Sequence, residues 1–90
     1  MKYKFRASET FWREFYRLPA EQKESVRKVW KIFQINPFAP SLRCHKIHSL
    51  SALYKKAIYS LVIEKDLRAV FYVEGDTVFT VDLGTHEIYG

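Results

Sequence analysis

Ninety residues with a net charge of +5 are expected to make one domain, spanning 1–90. The chain is 48% hydrophobic and 17% aromatic with only three Gly and three Pro, which excludes a disordered tail and predicts one packed core. No apolar run approaches a membrane span, Met1-Lys-Tyr-Lys-Phe-Arg6 holds no signal-like stretch, and the lone Cys44 cannot form an internal disulfide, so a reducing cytoplasm and no membrane partner are expected.

Tyr3 to Ala7 alternates apolar and basic residues and reads as a strand. Ser8 follows as an N-cap, and Phe11, Phe15 and Leu18 recur at helical spacing with Trp12 beside them. Pro19 ends that helix and opens the next. The second helix is predicted over 20–35, with Val26, Val29, Trp30 and Phe33 as its apolar stripe and Lys23, Arg27, Lys28 and Lys31 on other faces. Trp12 and Trp30 are both expected in the core. Asn36-Pro37 stops the helix.

Residues 37–56 lack a clear period and hold two prolines, so they read as a long connection, part of it strand or bend. Beyond them the pattern turns to β. Strands are predicted over 57–64, 67–73 and 77–83, joined by turns at Lys65-Asp66 and Glu74-Gly75-Asp76, with Gly75 in a left-handed position. Short connections make these three an antiparallel meander. The order is β-α-α-β-β-β. The expected fold class is α+β, a twisted antiparallel sheet packed on two N-terminal helices.

Strand alternation sends Leu67, Ala69, Phe71 and Val73 toward the helices and Arg68, Val70 and Tyr72 to the other face, expected to be open. Arg68 there either stands in a basic surface or pairs with Asp66 or Asp82. Charge is uneven along the chain. Residues 1–56 hold thirteen Lys/Arg against four Glu, and residues 57–90 hold two against six Asp/Glu. A basic surface facing a polyanion fits this pattern, and so does an acidic protein partner. The last residues, Gly84-Thr-His-Glu-Ile-Tyr-Gly90, bring two proton-transfer groups, His86 and Tyr89, just past a strand. Cys44, His45 and His48 are metal-ligand types, but no second pair stands at finger-like spacing, so no metal and no cofactor is expected.

Three stretches carry a resemblance to the RelE/ParE superfamily of bacterial toxins, over essentially the whole chain. Leu42-Arg-Cys-His-Lys-Ile47 resembles that family's L-x-x-H-x-L segment ahead of the sheet. Asp66-Leu-Arg-Ala-Val-Phe-Tyr72 resembles its D-Y-R-I-V-F-x strand, and Gly84-Thr-His-Glu-Ile-Tyr89 its G-x-H-x-x-Y ending. The resemblance implies the toxin of a type II toxin–antitoxin system. RelE-like members cut mRNA on the ribosome without a metal, ParE-like members poison DNA gyrase, and a small antitoxin neutralises both. The implied partners are a cognate antitoxin, mRNA and the ribosome with its rRNA, with DNA met only through the antitoxin complex. An exposed aromatic patch would mark the antitoxin groove.

By the same resemblance, Arg68 matches the phosphate-binding strand arginine, and His86 a C-terminal acid or base. Tyr89 matches an aromatic that stacks on a base or moves a proton. His45 and Lys46 match positions that contact or activate the RNA, and Asp66 an acidic position used by some members. The candidate catalytic set is His86, Arg68, Tyr89 and His45. The candidate RNA ligands are Lys46, Lys55, Lys56 and Arg43. Three positions depart from the pattern. Asp82 stands where several nucleases carry an arginine, Leu67 stands where some carry a tryptophan, and the lysine pair is out of register. The alternatives are a ParE-like gyrase inhibitor and a catalytically weak antitoxin-binding module.

Overall fold

The computed structural model describes residues 2–85. Strand β1 spans Lys4–Ala7, helix α1 Glu9–Arg17 and helix α2 Ala20–Ile35. A 3-10 turn at Pro40–Leu42 leads to the short strand β2, His45–Lys46, and to helix α3, His48–Tyr54. The meander follows as β3 (Tyr59–Glu64), β4 (Leu67–Glu74) and β5 (Thr77–Gly84). No described helix is long and apolar enough to cross a membrane.

The α+β class and the meander stand as predicted, and the sheet is wider than predicted. Its order is β1-β5-β4-β3-β2. β1 pairs with β5 in parallel, so the sheet is mixed and not wholly antiparallel. No short turn links those two strands, so nothing local reports their relative direction. β2 adds a two-residue rung at the far edge, with His45 opposite Ser60 and Lys46 opposite Tyr59. Helix α3 is a further difference. It spans 7 residues and buries none, so Leu50, Leu53 and Tyr54 make a run too short to establish a helical period in the sequence.

The helices form where the stripes fall. Phe11 and Phe15 on α1 and Val26 and Phe33 on α2 are buried. They meet Leu61, Leu67, Ala69, Phe71, Val78 and Leu83 on one sheet face. Aromatic edges hold the centre. Phe33 lies 5.0 Å from Phe71 at 77° and 5.3 Å from Phe5 at 62°, favoured edge-to-face geometries. Trp30 is half-buried against this core, whereas Trp12 is 44% exposed, contrary to expectation. Position 12 follows Phe11 by one residue, about 100° around the helix, so it falls at the border of the stripe.

One residue keeps β5 in phase with this core. Phe71 pairs with Thr80 but Val70 pairs with Asp82, so Val81 is an extra residue, a β-bulge. Without it Leu83 would turn away from the helices and Asp82 would turn in. Ser8 secures the bulge. Its hydroxyl donates to the Val81 carbonyl at 2.7 Å and accepts from the Phe11 amide at 3.0 Å. Its amide donates to the Thr80 carbonyl at 2.9 Å. The cap of α1 is thus also the tie to β5. The Thr80 hydroxyl is buried with no hydrogen-bond partner among the described residues.

Ser8→Ala removes the cap and the tie together, and a loss of about 2 kcal/mol is expected. Urea denaturation would read it as a lower midpoint at unchanged slope. A loss below roughly 0.5 kcal/mol would mean that the bulge stands without the serine. Thr80→Val deletes an unsatisfied hydroxyl at similar volume and is expected to raise stability by about 1 kcal/mol in the same assay.

Candidate functional site

The sheet face turned away from α1 and α2 carries the polar groups. Arg68 lies on it because β4 sends Leu67, Ala69 and Phe71 inward. Its row crosses the sheet as Val62, Arg68 and Gly84. The neighbouring row is His45, Ser60, Val70 and Asp82. Two strands and two residues separate Arg68 from His45, roughly 12 Å between backbone positions. Arg68 is half-buried, and its Nη1 donates to the Glu64 carbonyl at 2.8 Å, where the register of β3 shifts. That bond uses one of five guanidinium donors. Asp82 stands one strand away on the same face, and its Oδ1 accepts from the Leu83 amide at 2.8 Å.

This face is not open along its whole length, as alternation alone would suggest. Ile58 and Ser60 are 0% exposed and Val70 is 2% exposed, although Ile58 and Val70 stand outside the main core. The connection across residues 47–58 accounts for the crowding at one end. The Ile47 amide donates to the Ile58 carbonyl at 2.8 Å, and the Ile58 amide donates to the Ser51 hydroxyl at 2.9 Å. At Lys55 the backbone turns left-handed, with φ 57°, and closes α3. The turn brings Lys56 over the Tyr72 ring, 4.3 Å from its centre. Tyr72 in turn stacks on Phe79 at 4.9 Å and 18°.

The sequence candidates therefore separate. His45 and Arg68 share the face, with Lys56 at its border. Lys46 pairs with Tyr59, whose row continues to Phe71, so it belongs to the opposite set of side chains at the sheet edge. Arg43 is exposed in a left-handed position, φ 50°, that ends the 3-10 turn, and Lys55 is exposed in its own left-handed turn. Asp66 is in the β3–β4 turn. His86 and Tyr89 lie outside the described residues. Alternation puts Tyr72 on this face in the sequence, but its pairing with Phe79, set by the register that runs from the turn between β4 and β5, is seen only in the sheet.

Of the clefts among the described residues, two flank the helices and the ends of the central strands. One, of about 380 Å³, lies between α1 and α2 and is almost wholly apolar. Phe11, Trp12, Phe15 and Trp30 line it, with the cations of Arg27 and Lys31. Arg27 rests 5.7 Å from the Phe15 ring centre, and the 67% exposed Tyr16 stacks on Trp12. The other, of about 510 Å³, lies where α1 and α2 approach the ends of β4 and β5. Glu14, Asp66 and Asp82 line it, a setting that repels phosphate. Among the described residues no group of three His, Cys, Asp or Glu is placed to hold a metal.

No family model matches the chain, and no curated protein matches it. Solved structures do. RelE in the RelE–RelB complex from the archaeon Pyrococcus horikoshii is 13% identical, with a TM-score of 0.73 over 94% of this chain and 96% of that one. A YoeB/ParE toxin from Agrobacterium tumefaciens is 17% identical, with a TM-score of 0.70 over 92% and 98%. A chain of the Escherichia coli DinJ–YafQ toxin–antitoxin complex is 11% identical, with a TM-score of 0.72 over 98% and 97%. The chain has the fold of RelE, YoeB and YafQ.

Cys44 sits just before β2, half-buried, with its thiol 3.1 Å from the Pro37 carbonyl. Desolvation by burial pushes the thiol up from 9.0 to about 11. The folded state thus holds the proton that the unfolded state has released. Stability from this group is complete below pH 9.0 and is lost as pH rises toward about 11. Alkylation of the native protein at pH 8 is expected to be slow and to accelerate on unfolding. Cys44→Ala should flatten the alkaline fall in thermal midpoint. Rapid native labelling at pH 8 would contradict the burial.

Proposed function

We propose that this chain is the toxin of a type II toxin–antitoxin pair and acts in the cytoplasm as a metal-independent, ribosome-associated mRNA endoribonuclease. The observation that carries the reading is Arg68, presented from a central strand in a fold shared nearly end to end with RelE, YoeB and YafQ. A guanidinium on a strand is positioned by the ladder. It can grip two phosphate oxygens at once.

The reaction needs a base to take the 2′-hydroxyl proton and an acid to protonate the departing 5′-oxygen. It also needs cations for the charge that builds on phosphorus. In the proposed division Arg68 holds the phosphate, His86 is the acid or base, His45 is a second proton-transfer group or RNA contact, and Tyr89 stacks on a base. Lys56, Lys55, Lys46 and Arg43 supply the wider field along the strand, with Lys46 acting from the sheet edge. Asp82 opposes this field from the same face as Arg68. It favours a slow nuclease, and it is the specific reason to keep a catalytically weak, antitoxin-binding module as the second reading.

The partner side rests on the apolar cleft between α1 and α2. Exposed Trp12 and Tyr16 beside Arg27 and Lys31 suit an amphipathic, acidic antitoxin segment. Two of the structures with this fold are toxin–antitoxin complexes, RelE–RelB and DinJ–YafQ.

Induction of the parent chain without its antitoxin is expected to arrest growth and to cut ribosome-bound mRNA. Arg68→Ala and His86→Ala should each slow cleavage by about 10²–10³-fold. Asp82→Asn should speed it. Variants at positions 68 and 86 that cut like the parent, or inhibition of DNA supercoiling with intact mRNA, would sink the ribonuclease reading.

A further inference from the structure

The Tyr72–Phe79 pair lies on the same face as Arg68 but outside the main core. Neither ring is fully buried. The register places Arg6 of β1 beside Phe79, and Lys56 covers Tyr72 from the other side. The four side chains form one series across the sheet: guanidinium, phenyl, phenol, ammonium. Arg6 and Lys56 are exposed, and neither forms an ion pair among the described residues. Packing explains the rings against each other as a cross-strand pair. It does not explain two unneutralised cations at their ends.

We infer that Tyr72 and Phe79 form a stacking subsite for a nucleobase of a single-stranded RNA, with Lys56 and Arg6 as ligands of its backbone phosphates. The inference rests on the ribonuclease reading above and adds a base-binding position to it. Four residues of β4 separate Tyr72 from Arg68, roughly 13 Å along one face. A strand of RNA can therefore leave a phosphate on Arg68 and lay a neighbouring base on the rings. A stacked base is a stronger partner for an aromatic face than an exposed ammonium is. Lys56 can thus yield the face of Tyr72 to a base and turn its flexible, exposed ammonium to the adjoining phosphate. An acidic peptide would satisfy the two cations but would leave the ring faces unused, so RNA is the better match.

The test uses a short 2′-O-methyl oligoribonucleotide, which cannot be cut, carrying one 2-aminopurine, whose fluorescence is quenched on stacking. Binding to the full chain is followed by anisotropy at low salt. Tyr72→Leu keeps apolar bulk and removes the ring, and its melting temperature shows whether the fold is intact. The parent is expected to quench the probe. Tyr72→Leu is expected to bind about 10-fold more weakly without quenching, the order of one lost base stack. An abasic strand should lose a similar factor on the parent and nothing further on Tyr72→Leu. Lys56→Gln should reduce the salt dependence of binding while quenching persists. If Arg68→Ala weakens binding and Tyr72→Leu matches the parent, the subsite is wrong and the ribonuclease reading stands. Equal binding of abasic and intact strands would also overturn it, because the face would then attract anions without reading bases. If the parent neither binds the strand nor cuts mRNA, both fall.

Discussion

The organisation of the sheet depends on the bond between the Ser8 hydroxyl and the carbonyl of the bulged Val81. A strand has a side-chain period of two, so one inserted residue exchanges the two faces beyond it. Before the bulge Val78 and Thr80 point to the helices, and after it Leu83 does. The same hydroxyl caps α1. The start of the helix that covers the core and the point where β5 changes phase are thereby set by one side chain. Any shift of α1 along the sheet would uncouple both.

The bulge also decides what stands beside Arg68. It brings Asp82 out to the polar face, one row from the guanidinium, and gives Arg68 a glycine, Gly84, as its direct neighbour on β5. The glycine leaves space on that side, whereas the carboxylate lowers the local affinity for anions. Two further cations on this face come from outside the meander and stand toward its other end: Arg6 from the parallel edge strand and Lys56 from the connection after α3. Neither element's place in the chain puts it on the face that carries Arg68. A face built in this way has a guanidinium at one end of a central strand and aromatic rings with cations toward the other, an arrangement that supports the proposed reading of an extended nucleic-acid strand over a small ligand.

Much of the fold was legible because its signals are local. Ser8 before Phe11, the stripe of Val26, Val29, Trp30 and Phe33, and Gly75 in a tight turn each report a backbone conformation within a few residues. α2 spans the predicted residues without change. Helix α3 is hidden because its 7 residues are too few to show a period, and Trp12 falls outside the core because a residue at the margin of a stripe can fall either way. For the candidate site, alternation alone placed Arg68 opposite the helices. It could not show that Lys46, next to His45, takes the other set of positions, because β2 is only a two-residue rung whose pairing with β3 must be seen.

The sequence by itself determined the α+β class, the two long helices, the meander and the strand that carries Arg68. These follow from periodicity and turn chemistry, both of which act over a handful of residues. Only the tertiary structure decided the parallel pairing of β1 with β5, the bulge at Val81, the position of Asp82 and the meeting of Lys56, Tyr72 and Phe79. Each of those joins segments far apart in the chain. Their register is chosen by the free energy of the whole packed sheet, which no local pattern encodes.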